Sequence, residues 1–257
     1  MTSLHKNKVA LVTGGGSGIG LAAALAFSVE GATVVIADID LNAANSAAEL
    51  ARANGSEASA IACDMRDRSQ ITSMIDKAAS LHGRLDFAFN NVGVGGPIQP
   101  LGEYSDADWD SVIATNLTSV FLCMRAEIGV MLQQGSGVIV NCASVSGMAG
   151  MPGMPAYSAS KHGILGLTKT AALDYAPHGI RINAVCPGTI HTPAVDRFLK
   201  DEPDAARPII DAMIAAQPIG RLGTPEEVAA AVVWLCHPTA SFMVGHGLVV
   251  DGGYLAQ

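Results

Sequence analysis

The feature that most constrains this chain is a repeated alternation. Short apolar runs rich in Val and Ile each lead into a longer helical pattern. Residues 9–12 pass through a glycine-rich turn into an Ala/Leu helix that ends near Glu30. Residues 33–37 precede a helix expected over 41–53, and residues 58–62 precede one over 68–82. Residues 85–89 lead to a long helical region reaching Gln133, and residues 138–141 to a helix over 156–176. Residues 181–185 open onto a long irregular segment. A helix then starts at Thr224-Pro225-Glu226-Glu227, with Thr as N-cap, Pro at the first helical position and acids in the first turn. Residues 248–250 read as a last strand. Strands that are apolar on both faces need helices on both sides, which makes the sheet parallel. Right-handed crossovers make it doubly wound.

Composition narrows the function. The 257 residues hold 15 Lys plus Arg against 23 Asp plus Glu, a formal charge of −8. A nucleic-acid grip needs a basic face, and so does docking on an anionic membrane, so neither partner is expected. Hydrophobic residues make up 49% and charged residues 15%, which excludes a disordered chain. The mean hydropathy of +0.34 is high for so acidic a chain. The longest dense apolar stretch, residues 228–236, is far short of the roughly 20 residues a bilayer requires. The excess apolar surface is therefore assigned to a large core and to subunit contacts. No linker or low-complexity run divides the chain, so residues 1–257 read as one domain. The polar stretch 1–8 lacks the apolar segment of a signal peptide. The five scattered cysteines read as free thiols in a reducing cytoplasm.

In a doubly wound sheet, ligands bind beyond the carboxyl ends of the strands near the topological switch point. The site should collect residues 13–20, 38, 64, 90–95, 142–148 and 186–192. Thr13-Gly14-Gly15-Gly16-Ser17-Gly18-Ile19-Gly20 follows the first strand and opens a helix. Such glycines permit a tight turn and let backbone N–H groups approach a pyrophosphate at the positive helix end. No Lys-Ser/Thr follows the last glycine, so this is not a Walker loop. Asp38 ends the second strand, where a carboxylate accepts from the adenosine ribose hydroxyls and repels a 2′-phosphate. Positions where a cation could hold that phosphate are Gly15, Gly16 and Ile39. NAD is therefore expected over NADP. Asp64 can accept from the adenine amino group or cap the next helix.

Tyr157 and Lys161 stand four apart in Tyr157-Ser158-Ala159-Ser160-Lys161, on one helix face. A cation beside a phenol favours the phenolate, a general base suited to neutral pH. Ser144 follows the fifth strand, at the end where ligands bind.

With these residues the chain resembles the classical short-chain dehydrogenases/reductases over essentially its whole length. The matching pieces are Thr13-Gly14 with Gly18-Ile19-Gly20, Asp64, Asn90-Asn91-Val92-Gly93, Asn116, Ser144, Tyr157 with Lys161, Pro187-Gly188 with Thr192, and Val250-Asp251-Gly252-Gly253. The family usually has Ala at the position of Val92. The resemblance implies a Rossmann fold with a seven-stranded parallel sheet and a dimeric or, as expected here, homotetrameric assembly. It implies a catalytic set of Asn116, Ser144, Tyr157 and Lys161. Tyr157 would exchange a proton with the substrate oxygen, and Lys161 would support Tyr157 and hold the nicotinamide ribose. Ser144 would steady charge on the substrate oxygen, and Asn116 would hold a water linking Lys161 to solvent. The implied cofactor residues are Gly14, Ser17, Gly18, Ile19, Gly20, Asp38, Ile39, Asp64, Met65, Asn91, Val92, Gly93, Tyr157, Lys161, Pro187, Gly188, Ile190 and Thr192.

Residues 189–217 are expected to close over a small-molecule substrate, with Ile190, Val195, Phe198, Leu199, Ile209, Ile210, Met213 and Ile214 supplying apolar surface. Met148, Met151 and Met154 belong to the loop after Ser144, and Val94 and Ile98 to the opposite side. The pocket set is Val94, Ser146, Met151, Met154, Phe198 and Met213, an apolar and adaptable lining. It suits an uncharged secondary alcohol or ketone, alicyclic in character. Arg197, Lys200 and Arg207 in the same segment leave a carboxylate open.

The main rival is a 3-oxoacyl-carrier-protein reductase, against which Asp38 and the −8 charge both count. A non-enzymatic NAD sensor on the same fold would typically have lost members of the set that is complete here. Other motifs are declined. Asn116-Leu117-Thr118 matches a glycosylation sequon, but nothing points to secretion. Asp106, Asp108 and Asp110 lack the Gly and Glu of a calcium loop and read as an acidic helix start. The histidines show no zinc spacing and no metal is expected; at the terminal Gln257 a frayed or simply packed tail is preferred over a hard-oxygen metal site shared by paired tails.

Overall fold

Seven apolar runs become strands: β1 (Val9–Thr13), β2 (Thr33–Asp38), β3 (Ala58–Ala62), β4 (Phe87–Asn90), β5 (Gly137–Cys142), β6 (Ile180–Pro187) and β7 (Gly247–Val250). The structure, a computed structural model, describes residues 5–201 and 203–257, without the side chains of Ala194, Phe198, Pro203 and Ala205. The strands form one parallel sheet in the order β3-β2-β1-β4-β5-β6-β7. The order reverses between β1 and β4, so a crevice opens there at the carboxyl ends.

Helices cover both faces: α1 (Gly18–Val29), α2 (Leu41–Ala53), α3 (Arg68–His82), α4 (Asp106–Ile113), α5 (Ser119–Gln134), α6 (Pro155–Tyr175), α7 (Pro193–Asp201), α8 (Pro203–Ala215) and α9 (Pro225–Cys236). β1 shows why both faces must be covered. Val9 and Leu11 join a core cluster with α3, α5 and α6, while Ala10 and Val12 join the opposite cluster with α1, α2 and α9. A strand buried on both faces reads as a continuous apolar run.

Caps set several helix starts. Asp40 accepts from the N–H groups of Asn42 and Ala43, which leaves Asp38 out of the cap. Asp67, not Asp64, caps α3 through the N–H groups of Ser69 and Gln70. Thr224 and Glu227 form a reciprocal capping box on α9. Ser105 caps α4, and Asp106 and Asp108 fall in its first turn.

Two expectations change. The segment after β6, expected to be irregular, folds into α7 and α8. Each of the two begins with proline, which suits a first helical position. The continuous helical stretch Asp106–Gln134 is long and apolar enough, by length and composition, to cross a membrane, unlike residues 228–236. Its apolar window is 56% buried inside the protein, as a core helix would be. It includes a π turn, Ala114–Thr118, between α4 and α5.

Among the described residues, the Glu127 carboxyl lies wholly inside. Glu127 on α5 is 0% exposed and accepts from Asn90 Nδ2 at 3.0 Å. Asn90 Nδ2 also reaches Asn141 Oδ1, and Asn141 donates to Thr168. Burial pushes the Glu127 carboxyl up to about 8, against the smaller opposing effect of the Asn90 hydrogen bond. The folded state therefore holds a proton that the unfolded chain releases near 4.5. That contribution to stability is lost as pH rises from about 4.5 through about 8. Glu127→Gln keeps the neutral form at every pH. Urea unfolding midpoints should therefore shift in favour of the variant, relative to wild type, between pH 5 and pH 9. Parallel pH profiles would show that Glu127 is ionised in the fold.

Candidate active site

The crevice at the switch point holds a cavity of about 790 Å³, lined from the glycine-rich turn to α7 and α8. At one end β1 delivers Gly14, Ser17, Gly18 and Ile19. Gly14 (φ +62°) and Gly18 (φ +53°) adopt left-handed backbone that other residues resist. A Cβ on Gly16 would lie 2.9 Å from Asp38 Oδ2, so the carboxylate reaches the turn only because the turn has no side chain. Asp38 Oδ2 accepts from Gly16 N at 2.9 Å and Oδ1 from Asp40 N at 3.1 Å.

Gly20 differs from its neighbours. It does not line the cavity, contrary to expectation, and a Cβ there would overlap the Gly14 carbonyl oxygen at 2.0 Å. Its lack of a side chain lets α1 pack on the turn. Asn91 secures the same turn by donating to the carbonyls of Thr13 and Gly14.

Asp64, Met65 and Arg66 line the wall beyond β3, with Ile39 near the end of β2. Arg66 grips Asp64 in a two-pronged ion pair, Nε to Oδ1 at 3.0 Å and Nη2 to Oδ2 at 2.7 Å. The Arg66 hydrogen bonds hold the Asp64 carboxyl below its ordinary value. Arg66 was not foreseen; its place two residues after Asp64 was the available signal.

The middle of the cavity is built on α6. Lys161 is 3% exposed, and its Nζ donates to the Cys142 carbonyl at 2.7 Å, at the end of β5. The same ammonium lies 5.5 Å from the centre of the Tyr157 ring, as one helical turn requires. No carboxylate pairs with Lys161 among the described residues. Ser144, 7% exposed, begins the turn after β5, and its Oγ accepts from Ser146 N at 3.1 Å. Ser144, Ser146, Tyr157 and Lys161 all reach the cavity wall.

Asn116 does not. It is 0% exposed in the π turn, and its amide is committed to neighbours. Oδ1 accepts from Val94 N at 2.8 Å, while Nδ2 donates to Val94 O at 2.9 Å and Ser160 Oγ at 3.1 Å. Asn116 thereby ties the strand end after β4 to α6. A Cβ on Gly93 would lie 3.2 Å from Lys161 Nζ, so the segment after β4 passes close to the ammonium.

Pro187, Gly188, Ile190 and Thr192 line the far side, as expected, with Asn91, Val92 and Gly93 across the crevice. Gly188 packs on Asp251, part of the matching C-terminal motif, where its Cβ would stand 2.9 Å from the Asp251 Cα. Gln217, 2% exposed, joins the two roots of the lid, accepting from Thr189 N at 3.0 Å and donating to Arg221 O at 2.9 Å. Val94, Met151, Met154 and Met213 line the cavity as expected; the Phe198 side chain lies outside the described residues. Of the other lid hydrophobics, Val195, Leu199, Ile209, Ile210 and Ile214 do not reach the wall, nor does Ile98. Met148 instead packs toward β7, its Cε 2.9 Å from where a Gly247 Cβ would stand. Gln257 donates its amide N–H to the Ala216 carbonyl at 2.9 Å.

The doubly wound sheet and the glycine-lined crevice define a dinucleotide-binding oxidoreductase of the α/β class. The glycines leave a cradle that side chains would fill, which fits a nicotinamide dinucleotide. The chain belongs to the short-chain dehydrogenase/reductase family and acts on CH–OH groups. The profile described as enoyl-(acyl carrier protein) reductase matches residues 14–255. Cyclohexanol dehydrogenase of Acinetobacter sp. (strain SE19) is 42% identical, covering 100% of this chain and 98% of that one. Cis-4-hydroxycyclohexanecarboxylate dehydrogenase of Sinomonas cyclohexanicum is 42% identical, with 100% of each covered. The crystal structure of levodione reductase superposes with a TM-score of 0.94 at 34% identity, covering 98% of each chain. Similar structures carry either nicotinamide cofactor. NAD⁺-bound xylitol dehydrogenase has a TM-score of 0.91 at 35% identity over 97% of this chain and 99% of that one. An Agrobacterium tumefaciens structure with bound NADP has 0.89 at 34% over 100% and 99%.

Removing the Asn116 amide takes away its two hydrogen bonds to the Val94 backbone and the one to the buried Ser160 hydroxyl. Asn116→Ala should cost roughly 1–3 kcal/mol of stability, read from chemical denaturation. A loss near zero would mean that the Val94 groups find other partners.

Proposed function

We propose that the chain is an NAD-dependent dehydrogenase that interconverts a secondary alcohol on an alicyclic ring with its ketone. The observation that carries this reading is the buried Lys161 ammonium beside the Tyr157 ring, on a cavity wall that also carries the apolar Val94, Met151, Met154 and Met213. The Lys161 ammonium has no carboxylate partner among the described residues and stands beside the phenol, where it can stabilise negative charge that develops during proton transfer. Tyr157 then takes the proton of the substrate hydroxyl. The Ser144 hydroxyl donates to the substrate oxygen and stabilises charge that develops on it. A bound oxidised nicotinamide supplies the hydride acceptor, while the protein orients and polarises. Asn116 serves by holding Gly93 and Val94 in register with Lys161.

The NAD preference rests on Asp38, whose carboxylate is fixed by the Gly16 and Asp40 N–H groups where a 2′-phosphate would have to sit. Arg66, the cation at this end of the cavity, is already bound to Asp64. The ring chemistry is supported by the similarity to cyclohexanol dehydrogenase. The net charge of −8 weighs against an acidic carrier protein as substrate.

The enzyme works as a cytoplasmic homotetramer in this reading. Exposed Trp109, Phe121 and Leu173 on the α4–α6 side, and Trp234 and Val249 on α9 and β7, supply apolar contact surface. The five cysteines are free and buried, which suits a reducing compartment.

Tyr157→Phe should bind NADH, by fluorescence titration, but lose at least about a thousandfold in turnover of cyclohexanol. Full activity in that variant would remove the proton-transfer role. Asp38→Ala should raise the kcat/KM ratio of NADP to NAD by roughly tenfold or more, equivalent to about 1.4 kcal/mol. An unchanged ratio would show that selection lies elsewhere.

A further inference from the structure

The charged side chains on the cavity wall are not equally engaged. Asp38 accepts two backbone N–H groups, Asp64 and Arg66 hold each other, and Lys161 donates to the Cys142 carbonyl. Arg197 on α7 lines the same cavity and has no hydrogen-bond or ion-pair partner among the described residues. Its neighbour Asp196 is taken by His191 at 2.7 Å. Lys200 and Arg207, the other cations between Thr189 and Gln217, do not reach the wall. The lid therefore offers the cavity one open guanidinium among apolar side chains such as Ile190, Pro193 and Met213.

We infer that Arg197 recognises an anionic substituent on the substrate, so that the preferred substrate is an alicyclic hydroxy acid and not a neutral ring alcohol. This rests on the ring-alcohol reading and departs from the uncharged substrate expected of the sequence. The cofactor's pyrophosphate is the competing anion. That end is already served by two helix N-termini: α1 begins at Gly18 and α7 at Pro193, and Thr192 Cγ2 lies 3.5 Å from where a Gly18 Cβ would stand. Arg197 stands beyond the first turn of α7, further along the lid. A guanidinium offers a carboxylate paired donors in a plane, which fixes the ring's orientation as well as its charge. A ring with a hydroxyl at one end and a carboxylate at the other carries the two groups that Tyr157 and Arg197, both on this cavity wall, would receive.

The test compares cis- and trans-4-hydroxycyclohexanecarboxylate with 4-methylcyclohexanol as substrates for NADH formation. Wild type should favour one of the acids by about 10- to 100-fold in kcat/KM, the range of a charge-assisted hydrogen bond. Arg197→Leu should collapse the acid-to-neutral ratio at least tenfold, and Arg197→Lys should restore part of it. A ratio near one in wild type, or unchanged in Arg197→Leu, overturns the assignment. A raised KM for NAD with an unchanged substrate ratio also overturns it and gives Arg197 to the pyrophosphate. If no ring alcohol turns over, the proposed function fails by itself. Calorimetry with cyclohexanecarboxylate, which has no hydroxyl to oxidise, then still decides the site. Binding to the protein–NAD complex that vanishes in Arg197→Leu upholds it, and no binding, or binding that persists in Arg197→Leu, overturns it.

Discussion

The Lys161 ammonium, buried and anchored to the carbonyl of Cys142, is the contact on which the rest of the site depends. A buried charge is costly unless its hydrogen bonds are met and its field is used. β5 supplies the acceptor, because its last carbonyl emerges where α6 passes above the sheet. α6 supplies the phenol, because Tyr157 stands one turn before the lysine. β4 continues into Gly93, where the absence of a Cβ leaves room for the ammonium, and the π turn brings Asn116 down to hold that segment in place. Two strands, one helix and one helical irregularity thus converge on a single nitrogen atom.

The cavity is electrically divided along its length. Carboxylates at one end, Asp38 and Asp64, are oriented by backbone N–H groups or by Arg66. Cations stand in the middle and toward the lid, Lys161 beneath Tyr157 and Arg197 on α7. The adenosine half of a nicotinamide dinucleotide suits the first end. An oxygen that becomes anionic during the reaction suits the second. The apolar wall between them lowers the effective dielectric and strengthens both effects.

Much of this was legible in the chain itself. The bounds of α2 and α3 follow from apolar spacing and from Asp40 and Ala53, or Arg68 and His82, at their ends. Glycines, Asp38, Ser144 and the Tyr157–Lys161 pair fall at strand ends or on one helix face, where local rules reach. The lid did not yield to the same reading. Its short helices are amphipathic segments that pack chiefly on each other, and their proline starts were not read as helix starts. The packing of Gly20 and the choice between the two roles of Asp64 were not legible for a related reason. Whether a glycine faces a ligand or a neighbouring carbonyl, and which of two nearby aspartates caps a helix, depends on chain direction in three dimensions.

What the sequence by itself determined is the parallel doubly wound sheet, the glycine-lined turn after its first strand, and the residue types at its carboxyl edge. These follow from periodicity and backbone freedom, which are local properties. The family resemblance rests on the same motifs. Only the tertiary structure decided which of those residues share the cavity, that Asn116 lies behind the wall, that Arg66 is spent on Asp64, and that Arg197 alone among the lid cations reaches inside. Such facts are set by the approach of segments distant in the chain, and spacing along one segment carries no information about them.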